Sequence, residues 1–180
     1  MPGSYSPSTI ERLGDIKNGI LVETTKELAY TSWGTAQAYI FRHYNRIIIH
    51  AMWLEVGVTT LGSGGSSTLK FNWRSTTPAI SVQDISAASA DTAGMVQGRR
   101  VTIAGTSITT GLSVNGSAGI SVIGSAAVMM VGVAPNGSTI TTSVGEIGCL
   151  YGTTALNAGT GSFGILYTPV DPGAYVVSLL

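Results

Sequence analysis

The stretch Arg46–Thr60, reading Arg-Ile-Ile-Ile-His-Ala-Met-Trp-Leu-Glu-Val-Gly-Val-Thr-Thr, limits the folds open to this chain more than any other segment. β-Branched and aromatic side chains crowd it, which suits an extended backbone better than a helix. Taken as one unbroken strand, it puts Ile49, Ala51, Trp53 and Glu55 on one face. Ile48, His50, Met52, Leu54 and Val56 then take the other. A strand apolar on both faces needs cover on both, so it belongs inside layered β-structure.

The rest of the chain agrees. Ala38–Arg42, Thr68–Trp73, Ala79–Asp84, Val101–Ala104, Ile120–Val133, Thr139–Ser143, Ser162–Thr168 and Ala174–Leu179 all read as strands. Turn chemistry separates several of them: Gly62-Ser-Gly-Gly-Ser-Ser67, Pro135-Asn-Gly-Ser138 and Pro169-Val-Asp-Pro-Gly173. Ile85–Gly94 is rich in Ala and Ser and reads as a helical turn or a loop. Eight or so short strands with turns at irregular spacing predict an all-β sandwich or barrel.

Residues 1–35 read differently. Ser8-Thr-Ile-Glu11 matches a capping box, with Ile10 and Leu13 on one helical face, and Gly14 and Asn18-Gly19 interrupt any longer helix. An irregular or extended arm then runs through Ile20-Leu21-Val22 to Ala29-Tyr30; the alternative is an edge strand of the same domain preceded by a solvated helix. The chain accordingly divides into an arm, 1–35, and a β-domain, 36–180.

Only 10% of the residues are charged, nine cations against nine anions, where about a quarter is usual. The 20 Ser, 22 Thr and 24 Gly fill the space. Residues 1–100 hold 16 of the 18 charges, and residues 101–180 hold only Glu146 and Asp171. Such a stretch does not build the charged surface of a free monomer. Its outer face is either covered by Ser, Thr and Gly or buried against neighbouring subunits. Balanced charge supplies no basic face for nucleic acid, and apolar content at this level argues against disorder. No apolar run reaches the roughly 18 residues of a membrane helix without a break, and Met1–Pro7 lacks the apolar core of a signal peptide.

Reactive chemistry is scarce. The single Cys149 excludes a disulfide framework and reads as a buried small residue. His43 and His50 lie an odd seven residues apart, which fits no two-ligand metal motif on a strand. The loop at Gly62 lacks the Gly-Lys-Ser/Thr of a phosphate loop, and no Gly-x-Ser-x-Gly occurs. Asp84 and Asp91 flank an Ala/Ser turn and read as caps, with Arg99-Arg100 available to Asp91. Trp53 and Trp73 sit within strand patterns and read as core. No residue is assigned a catalytic, cofactor-binding or metal-binding role, and no cofactor is expected.

The order of motifs nevertheless has a likeness. A strand carrying Glu55-Val-Gly-Val-Thr-Thr60 is followed by Thr68-Leu-Lys70, Asp84-Ile-Ser-Ala-Ala88, Asp91-Thr-Ala-Gly94, Ile103-Ala-Gly-Thr106 and the closing Pro169-Val-Asp-Pro-Gly173. Over roughly residues 38–180 this resembles small virion proteins of tailed bacteriophages of the capsid cement or decoration type. The resemblance implies a jelly-roll-like β-sandwich, commonly a homotrimer, that binds the major capsid protein on the surface of the virion after synthesis in the host cytoplasm. It implies an enzymatically inactive structural protein without direct contact to nucleic acid or membrane. Ile10, Leu13, Ile20, Leu21, Val22 and Tyr30 of the arm are then the candidate contacts to the capsid. The alternative is a receptor-binding or fibre module whose loops at Leu61–Ser67 and Asn115–Gly119 touch host glycan.

Overall fold

The computed structural model describes residues 19–24, 27–86, 88–104, 120–123, 128–132 and 143–180. Its strands are β1 (Ile20–Glu23), β2 (Leu28–Ala29), β3 (Ala38–Tyr44), β4 (Ile47–Val56), β5 (Gly62–Ser63), β6 (Ser67–Thr77) and β7 (Ala79–Asp84). The second half adds β8 (Arg100–Ala104), β9 (Ile120–Ile123), β10 (Val128–Val131), β11 (Val144–Thr153), β12 (Leu156–Ala158), β13 (Thr160–Pro169) and β14 (Tyr175–Ser178). Among the described residues the helical content is a single 3-10 turn, Tyr30–Ser32. One sheet runs β1-β13-β4-β10-β9, with β2 also on β13 and β8 also on β4; the other runs β14-β3-β11-β6-β7. The pairings are antiparallel, and β5 with β12 forms a small separate ribbon.

The two sheets are the layers of a β-sandwich, as the sequence predicts. Ile47, Ile49, Met52, Leu54, Phe163, Ile165 and Tyr167 of the first sheet share one core with Phe41, Phe71, Trp73, Ile147 and Cys149 of the second. Trp33 closes it, its ring 5.3 Å from Phe163 and 5.7 Å from Tyr151, with its indole N–H donated to Leu28 O at 3.1 Å. An indole is buried at low cost only when that N–H has a partner.

β4 is a strand apolar on both faces, but the face assignment changes in its middle. Leu166 and Tyr167 of β13 are adjacent, yet they face Ala51 and Ile49, so His50 is the extra residue of a β-bulge. Ile47 and Ile49 therefore point into the core together with Met52, Leu54 and Val56, and period-two counting from one end fails beyond His50. The bulge also marks a change of neighbour: β10 pairs with Ile47–Ile49 and β8 with Ala51–Glu55.

Three further expectations change. The apolar run Ile120–Val133 is not one strand but the antiparallel hairpin β9–β10, since the Gly-Ser pair at 124–125 interrupts its strand propensity. Val144–Thr153, masked by its glycines, is β11, flanked by strands on both sides in the second sheet. Of the two readings of residues 20–35, the edge strand is the one present. β1 pairs with β13 from Ile20↔Tyr167 to Glu23↔Gly164, and Trp33 is 1% exposed, so the sandwich begins at β1 and not at residue 36. Alternation explains this: Ile20 and Val22 turn inward against the core while Leu21 and Glu23 turn out. Residues 1–18, with Ile10 and Leu13, lie outside the described residues, as does Thr139–Thr142.

The two acids of the charge-poor half both reach back to arginines of the first half. Asp171 clamps Arg46, accepting from Nε at 3.0 Å, from Nη2 at 2.5 Å and from the Arg46 backbone N–H at 3.0 Å. That joins the β13–β14 corner to the β3–β4 corner, two of the places where the chain crosses between sheets. Glu146 on β11 lies between Arg42 on β3 (2.6 Å) and Arg74 on β6 (2.5 Å), directly opposite both in register. Burial alone would push the Glu146 carboxyl up, but hydrogen bonds from Arg42 and Arg74 outweigh it and hold the group below its ordinary value. Glu146→Ala would leave two guanidiniums facing each other across β11. We expect a loss of about 2 kcal/mol in urea unfolding at pH 7, less than for a wholly buried pair because both arginines are partly solvated. Wild-type stability in the variant would show that the triad contributes nothing.

Candidate functional site

At one side of the sandwich both sheets end together, β1 in the first and β14 in the second, and neither strand has a neighbour on its outer side among the described residues. Between them lies a cleft of about 520 Å³ lined by Ile20, Leu21, Val22, Tyr167, Ala174, Tyr175 and Val176. Its floor is Tyr167, whose hydroxyl accepts the outward-turned backbone N–H of Val176 at 3.2 Å. Its rims are apolar and wet: Leu21 is 53% exposed and Tyr175 46%. Tyr175 is held by stacking on Tyr44, 4.5 Å between centroids and 18° from parallel.

Of the arm residues singled out by sequence, Ile20, Leu21 and Val22 line this cleft. Tyr30 does not. It packs against the core in the 3-10 turn, where its carbonyl accepts the N–H of Trp33 at 3.1 Å. Sequence reading missed the opposite rim, Ala174 to Val176. The available signal was a terminal strand without charge whose alternate positions are both apolar, which leaves one apolar face unaccounted for.

The remaining polar groups hold the fold. Asp91 accepts the N–H of Ser67 at 2.8 Å and of Ala93 at 2.9 Å, so it caps its turn, and Asp84 pairs with Lys70 at 2.6 Å. Arg100 pairs with Glu55 at 2.5 Å and lies over the Trp53 ring rather than reaching Asp91. A second, polar cleft of about 380 Å³ contains Glu27 and Glu55. Glu27 accepts from Val58 N–H and Thr160 Oγ1, and Glu55 is engaged by Arg100, so the two acids do not form an acid/base couple. His43 and His50 sit in different sheets. Cys149 is fully buried, and burial pushes its thiol far above the ordinary range, where a thiolate nucleophile does not form. Among the described residues no three His, Cys, Asp or Glu side chains gather as metal ligands.

Neither protein-family models, curated proteins nor solved structures match this chain. The double edge is therefore judged on its physics. An open edge strand carrying exposed apolar side chains is a template for pairing, and soluble proteins ordinarily guard it with lysine, proline or a covering loop. Here Ile20, Leu21 and Val22 are followed by one acid, Glu23, and Ala174–Leu180 carries no charged side chain.

Proposed function

We propose that this protein is a structural component of a tailed-bacteriophage virion, a cement or decoration protein that binds the major capsid protein and copies of itself on the capsid surface. The observation that carries the reading is the double edge, β1 beside β14, open among the described residues, with Leu21 and Tyr175 half in water. Its physical sense is buried area: a subunit that clamps neighbouring capsomers needs contact, not a reaction, and low-charge surfaces lose little on desolvation. The jelly-roll winding and the trimer belong to this reading through the resemblance given above.

Mass-spectrometric counting of this chain against the major capsid protein in purified virions tests it. Hundreds of copies per particle are expected, and absence from the particle ends the idea. A receptor-binding module draws support from a different feature, the outer face of the second sheet. There Arg74 lies 3.8 Å over the Tyr39 ring and Tyr44 stacks on Tyr175, a planar polar-aromatic surface of the kind sugars stack on. A count of a few dozen or fewer would favour that module instead.

A further inference from the structure

We propose that the polar cleft beside the end of β4 binds a neutral saccharide, with Trp53 next to it as an aromatic wall. The site lies on the first sheet, away from the Arg74–Tyr39 surface of the second, and does not depend on the assembly reading.

Register assembles the site. Met52, Leu54 and Val56 of β4 turn into the core, so Trp53 and Glu55 turn out together. Strand patterning reads Trp53 as core; it stands instead on the outer face, partly buried. Across that face one row reads Glu23, Gly164, Trp53 and Thr102, and the next reads Ser162, Glu55 and Arg100. The indole lies across Gly164, where an added Cβ would overlap its Cε2–Cζ2 edge. Arg100 ties the two rows: its Nε donates to Glu55 Oε2 at 2.6 Å, and its guanidinium lies 5.4 Å from the Trp53 ring centroid. The cleft opens at the second row, with Thr24, Glu27, Gln97 and Ser162 around Glu55.

The unspent hydrogen-bonding groups select the ligand. Glu27 is anchored through Oε1, which accepts from Val58 N–H at 2.7 Å and from Thr160 Oγ1; its Oε2 has no partner among the described residues. Glu55 uses only Oε2, on Arg100, so its Oε1 is open as well. Thr24 is 7% exposed, and its Oγ1 accepts the Phe163 N–H at 3.1 Å while its own hydroxyl proton stays available. Two carboxylate oxygens steadied by other bonds, a buried hydroxyl and the Gln97 amide match the hydroxyls of a sugar ring. The lining carries two carboxylates and no cation, so an acidic sugar would meet like charge. Calcium takes about six to eight oxygens, and Glu55 is already shared with Arg100. At about 380 Å³ the cleft is at the small end of ligand pockets, about 300–1,000 Å³. Trp53 lies one row off, about 7 Å along β4, where the C–H face of a following sugar unit packs on the indole. Because the two acids form no acid/base couple, the sugar is held and not cleaved.

A glycan array probed with the full chain tests this, with neutral hexose oligosaccharides set beside sialylated and uronate-containing ones. The neutral glycans should be retained and the acidic ones not. The best neutral glycan should then change the tryptophan emission with a Kd of about 1 mM. Trp33 and Trp73 are sealed at 1% and 0% exposure, so the change reports Trp53. Gln97→Ala and Glu27→Gln, both at exposed positions, should keep the folded circular-dichroism spectrum and weaken binding about tenfold each. The new amide oxygen at position 27 can still accept from Val58. Calcium chloride alone should leave the emission unchanged. No neutral glycan bound, acidic glycans alone bound, or a calcium response would overturn the proposal. So would binding that survives both substitutions, which would move the sugar to another face. The copy number in virions decides the assembly reading separately, and neither result alters the other.

Discussion

Lowering the pH from about 6.5 to about 4 is expected to cost this fold about 3 kcal/mol through one side chain, His43. The imidazole is wholly buried on β3 and lies near-parallel to the Trp73 ring, 6.1 Å between centroids. Trp73 Nε1–H donates to His43 Nε2 at 2.6 Å, and His43 Nδ1–H donates to Asn45 O at 2.8 Å. Both ring nitrogens are thus committed in the neutral form, and a second proton would have to enter against the indole N–H. Burial lowers the pKa to about 4, and the bond to Asn45 offsets only part of that. In the unfolded chain the same group titrates near 6.5. Between the two values the unfolded state binds the extra proton and the folded state does not, so stability falls as pH falls through that window and levels off below it. Glu146, Asp171 and Asp91, all held below their ordinary values, lose their contributions further down, as they become protonated. Urea unfolding at pH 7, 6, 5 and 4 measures the slope. His43→Gln should be less stable at pH 7 and much flatter across the window. A flat wild-type curve between pH 6.5 and 4.5 would refute the assignment.

Gly145→Ala should be strongly damaging, costing about 3 kcal/mol. Gly145 pairs with His43 on one side and Ser75 on the other, so it lies under the place where the two rings meet. An added Cβ would overlap both His43 Nε2 and Trp73 Nε1. Neither ring can retreat, since both are sealed in the core, so the hydrogen bond between them must break and leave a buried acceptor and donor unpaired. The variant should lose His43's acid sensitivity along with its stability. Gly64→Ala, where the new methyl meets nothing within 4 Å, is the control and should stay within about 0.5 kcal/mol of wild type. Equal unfolding midpoints for the two variants would show that the ring pair does not depend on the missing side chain.

Gly145 also explains where sequence reading stopped. Strands with branched side chains were legible because bulk and alternation are written in the residues: β3, β4, β6, β7, β8, β13 and β14 all follow from pattern. β11 was not, since Gly145, Gly148 and Gly152 look like breaks. Two of them are bare because something already fills the space, the His43–Trp73 pair at one and the Ala38 carbonyl at the other. That demand comes from neighbouring strands and leaves no local mark. The His50 bulge is similar: nothing in Ile-Ile-Ile-His-Ala-Met says which residue is extra, because β13 decides it. The candidate site was half legible. Ile20–Val22 stood out as an apolar run, but the cleft sets it beside Ala174–Val176, distant parts of the chain that only the closed sandwich brings together.

The pairing order carries a consequence for how the molecule comes into being. β4, in the interior of the first sheet, finds a partner in β13, and β3 lies between β11 and β14. Both of these early strands wait for the last quarter of the chain. While the polypeptide is being synthesised from its N-terminus, Ile47–Val56 has no cover on its β13 side until residues 160–169 have emerged. Such distant closures make for slow folding and a long-exposed apolar strand. Completion of the sandwich therefore waits for β13 and β14. A product truncated before β13 would display Ile48, Trp53 and their neighbours as an adhesive surface, and the β1–β14 edge exists only once β14 has joined β3.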